Sequence, residues 1–326
     1  MKRVMAVRIA EPCDGLEVVE VEEPYPKRGE ILIEMKARPI QPADLLIVRD
    51  RHIVKPTLPD PVGIEGIGKV IALGEDVQQP VVGSLVALPF GGTWSERVVL
   101  PASAVLMLPS NCDLYQGSMF ALNPVTALGL LDGLREGEWL IHNAANSSLG
   151  KLITKLAVYR GIPNISVVRR KGMEDELQAL GANHVLVDGD DLAKRVLDIT
   201  NSKGVKRALD AVSGRATGRL HDATAEGGEV ICYGLLGSDD VILPSARVIF
   251  RNVTIRGYSR LRALQALGVE GRRVLEKDLF DYFSKGVFYT PVLAKYVLED
   301  VKEAVVKAEE VGSQGKVLLV SPELLD

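Results

Sequence analysis

Arg169, Arg170 and Lys171 follow one another at the end of the apolar run Asn164-Ile-Ser-Val-Val168. Guanidinium groups pair with phosphate through charge-assisted, often bidentate bonds, so adjacent cations at a strand end suit a phosphorylated ligand. Upstream lies Ala144-Ala-Asn-Ser-Ser-Leu-Gly150, a loop of mostly small residues. Small residues let a ligand approach the backbone closely. The helical run Lys151 to Arg160 that follows directs its N-terminal N–H groups at an anion.

The elements that must position these residues form one βαβ unit. A buried strand, Glu138-Trp-Leu-Ile-His-Asn143, leads through the loop and helix to the second strand with its basic end. Dinucleotide-binding folds carry G-x-G-x-x-G at this first turn, for tightness, close approach to the pyrophosphate and helix–strand contact. Aligned on Gly150, the two earlier glycine positions hold Ala145 and Ser147. Taken alone, the loop fits an ordinary α/β crossover equally well. An NAD site usually has an Asp or Glu about twenty residues further on, bonded to the ribose 2′-hydroxyl. Arg169 and Arg170 stand there instead and suit a 2′-phosphate, so the combination favours NADPH over NADH. A solvated basic strand end is the alternative.

The chain has 326 residues, 47% hydrophobic and 25% charged, which suits two domains with ordinary cores. Its net charge of −4 gives no general attraction to nucleic acid or to acidic membranes. Cys13, Cys112 and Cys232 are widely spaced, and none of His52, His142, His184 and His221 pairs at ligand spacing, so no disulfide framework or metal site is expected. A β-like run begins at Met1 without a signal-peptide or transmembrane pattern, and the chain reads as soluble and cytoplasmic.

Residues 1 to about 118 consist of short Val-rich runs separated by Pro and Gly, which suggests a β-rich, barrel-like domain. From 119 to 260 the pattern alternates between helix and strand. Strands at Trp139, Ile165–Val168, His184–Val187, Arg207–Val212, Glu229–Tyr233 and Val253–Gly257 suit a doubly wound parallel sheet of order 3-2-1-4-5-6. Residues 261–326 run through helix, strand and helix to Lys316-Val-Leu-Leu-Val320, a last strand expected to rejoin the first domain.

A β-rich domain split around a dinucleotide fold resembles the medium-chain dehydrogenase/reductase superfamily, whose first domain is GroES-like. The catalytic Cys and four-Cys lobe of its zinc members are missing, so the chain resembles the zinc-free branch. Within that branch it is most similar to the mitochondrial-type 2-enoyl thioester reductases. Gly92-Thr-Trp94 resembles their G-T-W turn, and Asn123-Pro-Val-Thr-Ala127 their N-P-x-T-A. Asn143-Ala-Ala-Asn-Ser-Ser-Leu-Gly150 resembles N-A-x-N-S-x-V-G, and Val167-Val-Arg-Arg-Lys171 resembles V-R-D-R.

The resemblance implies NADPH-dependent reduction of the C2=C3 bond of a trans-2-enoyl thioester, on coenzyme A or acyl carrier protein, by a homodimer. It places Asn123 on the nicotinamide side with Thr126 in the same segment, and Asn146, Ser147, Ser148 and Leu149 at the pyrophosphate. Arg169, Arg170 and Lys171 would hold the 2′-phosphate. Tyr233, Gly234, Leu235 and Leu236 stand where the family has Y-G-G-M. Tyr258, Ser259, Arg260 and Leu261 stand at its F-W-x-S segment, and Lys316 at its C-terminal lysine. Each of these is expected at the cofactor.

Two departures touch the substrate end. Ser259 replaces a bulky Trp, and the loop after Gln41-Pro-Ala-Asp44 lacks the tyrosine that the family places there for protonation. By spacing His52 takes its place, either as a donor to a developing enolate or as a surface histidine between Arg49 and Arg51, whose charges disfavour its protonated form. A quinone or enone reductase and a non-catalytic NADPH-binding protein are the alternative functions.

Overall fold

The computed structural model describes residues 1–52, 55–311 and 314–325, which fall into two compact units. The first comprises Met1–Leu122, Arg272–Asp281 and Tyr289–Asp326. Its larger sheet has seven strands, ordered Val292–Tyr296, Lys316–Val320, Glu30–Pro39, Gly66–Leu73, Leu85–Leu88 and Leu106–Leu108, with Arg97–Pro101 also paired to Glu30–Pro39. Strand Glu30–Pro39 shows the alternation that a half-buried strand requires: Ile31, Ile33 and Met35 enter one core cluster with Val70, Val86, Leu88 and Val98. The expected return of the C-terminal strand is present, with Leu318, Leu319 and Val320 antiparallel to Pro39, Arg38 and Ala37. A smaller sheet joins Leu16–Glu20, Lys2–Ala6 and Asp60–Pro61. Arg38, 1% exposed, bonds the carbonyls of Met35, Thr93 and Ser95, which fixes the Thr93–Ser95 turn against the sheet.

The second unit comprises Asn123–Gly271 and Tyr282–Phe288. Its six parallel strands run in the order His184–Val187, Asn164–Val168, Leu140–His142, Val205–Asp210, Thr224–Cys232, Thr254–Gly257. This is the expected 3-2-1-4-5-6 arrangement. Helices on both faces explain why Leu140–His142 and Asn164–Val168 are buried at every position. Strand Thr224–Cys232 begins five residues before the expected Glu229 and ends one before the expected Tyr233. Residues 261–271 and 282–288, read from sequence as part of the first domain's return, cluster with this unit instead. Tyr282 stacks edge-on against Tyr159 at 5.5 Å and accepts a hydrogen bond from Arg160 Nε, which accounts for the second segment. Among the described residues no helix is long and apolar enough to cross a membrane.

Arg207 joins sheet to helix. Its guanidinium pairs with Glu229 on the adjacent strand and donates to the carbonyls of Leu130 and Asp132 at the end of helix Asn123–Leu130. Cations at a helix C-terminus satisfy carbonyls that have no partner within the helix. Arg207→Met should therefore strand two carbonyls and lower stability by about 2–3 kcal/mol, read from urea denaturation. A loss under about 0.5 kcal/mol would mean that water replaces the guanidinium without cost.

Candidate dinucleotide site

The small-residue loop leaves the sheet at Asn143 and enters helix Ser148–Tyr159 through Ser147, whose hydroxyl accepts a bond from Gly150 N–H at 3.0 Å. Ala144 alone in this loop has a left-handed backbone, φ 49°. Neither Ala145 nor Ser147 does, so the two missing glycines cost no backbone strain. Gly150 is different. A Cβ there would lie 2.5 Å from the Ala145 carbonyl oxygen and 2.6 Å from that of Ala144. The loop thus folds onto the helix start, and Ala145 N–H bonds the Val167 carbonyl at 3.1 Å, tying it to the second strand. Small side chains over the uncapped first N–H groups of a helix fit an anionic pyrophosphate.

Below the loop His142 is fully buried, its Nε2 3.2 Å from Thr154 Oγ1 and 3.1 Å from Ser166 Oγ. Burial pushes its pKa down to about 3, so it is a neutral packing group rather than a charge under the site.

At the end of strand Asn164–Val168, Arg169, Arg170 and Lys171 are all exposed. Arg169 and Arg170 form no ion pair with any described residue, so their charge is available to a ligand. Asp188 follows the adjacent strand, its N–H bonded to the Val168 carbonyl. Its carboxylate is neutralised by Arg219, whose Nε lies 2.7 Å from Oδ1. An acid that would repel a 2′-phosphate is therefore already paired. The donor set fits the phosphorylated dinucleotide.

The remaining residues expected at the cofactor fall into three groups. Tyr233 follows strand Thr224–Cys232, its N–H on the Asp210 carbonyl and its buried hydroxyl without a hydrogen-bond partner among the described residues; burial raises its pKa. Gly234 must stay a glycine because a Cβ would meet the Ala211 carbonyl at 2.7 Å, while Leu235 and Leu236 stand exposed beyond it. Tyr258 fits into helix Asn123–Leu130, the helix of Asn123 and the buried Thr126, through the space left by Gly129, and Ser259 caps the helix that carries Arg260 and Leu261.

Lys316 belongs to the first unit. It is 4% exposed, and its Nζ donates to Gln41 Oε1 at 2.5 Å. Gln41 in turn donates to Glu65 and caps helix Pro42–Val48 in a reciprocal box with Asp44. Burial raises Asp44 to about 8 and lowers Lys316. The lysine expected from the resemblance at the cofactor is thus engaged inside a buried polar cluster. His52 lies partly exposed beyond the same helix. Arg49, one of the two arginines that flank it in sequence, is paired with Glu11 and Glu309. Among the described residues no group of three or more His, Cys, Asp or Glu side chains could hold a metal ion. Sequence reading missed Asn143 and Asp210 as a pair; their only signal is that Asn143 ends one expected strand and Asp210 is a charged residue near the end of another.

A family model described as a zinc-binding dehydrogenase matches residues 148–267, and one described as an alcohol dehydrogenase GroES-like domain matches residues 27–110. The mitochondrial enoyl-[acyl-carrier-protein] reductase of Caenorhabditis elegans is 30% identical over 290 residues, 86% of this chain and 83% of that protein. The protein of the same name from Xenopus tropicalis is 29% identical over 307 residues, 90% and 88% of the two chains. A solved structure described as a candidate NADPH:quinone reductase of Bacillus thuringiensis matches with a TM-score of 0.88 at 27% identity, covering 98% of both chains. The strand order, the capped loop and these relatives together make the chain a member of the medium-chain dehydrogenase/reductase superfamily, grouped with the mitochondrial-type enoyl-[acyl-carrier-protein] reductases.

Proposed function

We propose that this protein reduces the C2=C3 double bond of a trans-2-enoyl thioester, carried on coenzyme A or acyl carrier protein, with NADPH as the reductant. The observation that carries the cofactor half is the exposed pair Arg169–Arg170 beside the Ser147-capped helix. The substrate half is supported by relatives named enoyl-[acyl-carrier-protein] reductases, which match over most of both chains. Arg169, Arg170 and the Ser147-capped helix start would hold NADPH, which when bound would supply a hydride for C3. Negative charge then develops on the thioester oxygen, and C2 takes a proton. A donor aimed at that oxygen would stabilise the transition state.

Changing Arg169 and Arg170 together to alanine should weaken NADPH about 10²- to 10⁴-fold and leave NADH nearly unchanged, since each of the two charge-assisted contacts is worth on the order of 1.5–3 kcal/mol. Fluorescence titration with both cofactors measures this. Equal losses would show that the pair supports the fold and does not read the phosphate.

His52 is the group proposed to stand in for the family's tyrosine. If it donates the proton or the hydrogen bond, His52→Ala lowers single-turnover reduction of crotonyl-CoA by about 10²–10⁴-fold with NADPH affinity unchanged. A fall below tenfold with an unaltered pH profile rejects the role. A second reading, reduction of a quinone or small enone, is favoured by that missing tyrosine and by the B. thuringiensis structure. Parallel assays with crotonyl-CoA and a benzoquinone decide between them.

The assembly proposed is a homodimer. Strand Thr254–Gly257 is an edge of the six-stranded sheet, and Val248, Ile249 and Phe250 just before it are 61%, 70% and 82% exposed. An unpaired edge beside an apolar patch needs covering, and a second copy can pair with both across a two-fold axis. Phe250→Glu should convert a dimer to a monomer in light scattering; a wild-type monomer at micromolar concentration overturns the assembly.

A further inference from the structure

The strand order of the six-stranded sheet reverses between Leu140–His142 and Val205–Asp210, and open α/β sheets bind ligands in the crevice at such a point. Two buried side chains bridge it, Asn143 and Asp210, 3% and 0% exposed. Asn143 Nδ2 donates to Asp210 Oδ1 at 2.6 Å, and Asn143 Oδ1 accepts from Ala211 N–H at 2.7 Å. The same Asp210 oxygen accepts from the N–H groups of Val212 at 2.9 Å and Ser213 at 3.0 Å, while Oδ2 accepts from the Thr217 hydroxyl.

These bonds hold an unfavourable backbone. Ser213 has φ 65°, Gly214 has φ 64°, and Ala144 on the facing loop has φ 49°. Left-handed conformations at non-glycine residues persist only where the surroundings over-determine them. Here the over-determination continues into the next loop. Leu236 N–H bonds the Ala211 carbonyl at 3.0 Å, Gly237 N–H bonds that of Val212 at 2.8 Å, and the Ser213 hydroxyl donates to the Gly234 carbonyl at 3.1 Å. The loops after strands four and five are thereby one hydrogen-bonded piece anchored at Asp210.

We propose that Asn143 and Asp210 are a positioning pair for the dinucleotide. They hold the Ala211–Gly214 turn as a preformed wall of the switch-point crevice, so that binding the cofactor orders nothing further there. The pair works by geometry, not by its negative charge. This rests on the NADPH reading above.

Calorimetric titration of NADPH into the whole protein tests it, because the stoichiometry reports the folded fraction while Kd reports the crevice. Asp210→Ala and Asn143→Ala should each raise Kd by at least about tenfold, with stoichiometry still about one per chain. Asp210→Asn keeps an oxygen for the Val212 and Ser213 amides, and should bring Kd back to within about threefold of wild type. If Asp210→Ala fails to fold, Thr217→Val joins Asn143→Ala as the test, again with raised Kd at unchanged stoichiometry. A reduced stoichiometry with an unchanged Kd overturns the positioning role in favour of a structural one. Asp210→Asn binding as poorly as Asp210→Ala overturns it in favour of charge. A wild-type protein that takes up no NADPH overturns both this inference and the cofactor reading.

Discussion

A carboxylate without access to water must be surrounded by donors, and in the second unit that requirement falls on Asp210. It sits at the end of a central strand with no exposed surface and receives Asn143, Val212, Ser213 and Thr217. Leaving a buried charge unmatched costs several kcal/mol, so the loops on both sides must come to it. Strand one is drawn in through Asn143, the loop after strand four through its own amides, and helix Arg215–Ala223 through Thr217. The C-terminal edge of the sheet, where this fold binds its ligands, is built outward from that satisfied charge.

Close backbone approach does similar work on the other side of the crevice. The loop after strand one lies against the start of its helix with no space for a side chain at Gly150. That contact fixes where the helix N-terminus points, and Ser147 satisfies one N–H while the earlier ones remain for an anion. At the next strand end Arg169 and Arg170 stand exposed, and the nearby Asp188 is paired with Arg219. The helix start proposed for the pyrophosphate and the cations proposed for the 2′-phosphate therefore sit on different elements of one βαβ unit.

The first unit meets buried charge by another route. Gln41 stands between Lys316 and Glu65, donating to one and accepting from the other, so a neutral side chain links two ionisable ones. This arrangement fixes the start of helix Pro42–Val48, beyond which His52 lies. It also explains why Lys316, though matched to a cofactor lysine by resemblance, has its ammonium turned to Gln41.

The sequence by itself determined the fold class, the six-strand order, the return of Lys316–Val320 to the first sheet, and the placement of the loop and basic residues on one βαβ unit. The elements follow from hydrophobic period and turn residues, which need only neighbours along the chain, and their arrangement follows from crossover rules and the resemblance to a known domain pattern. The structure adds that Arg169 and Arg170 are exposed and, among the described residues, form no ion pair. Only the tertiary structure decided that residues 282–288 pack with the dinucleotide unit, that Arg49 is paired, that Lys316 is engaged, and that Asn143 meets Asp210 across 67 positions of chain. Each depends on which polar group finds which partner once water is excluded. That choice is set by distance in the folded state, and spacing along the chain carries no record of it.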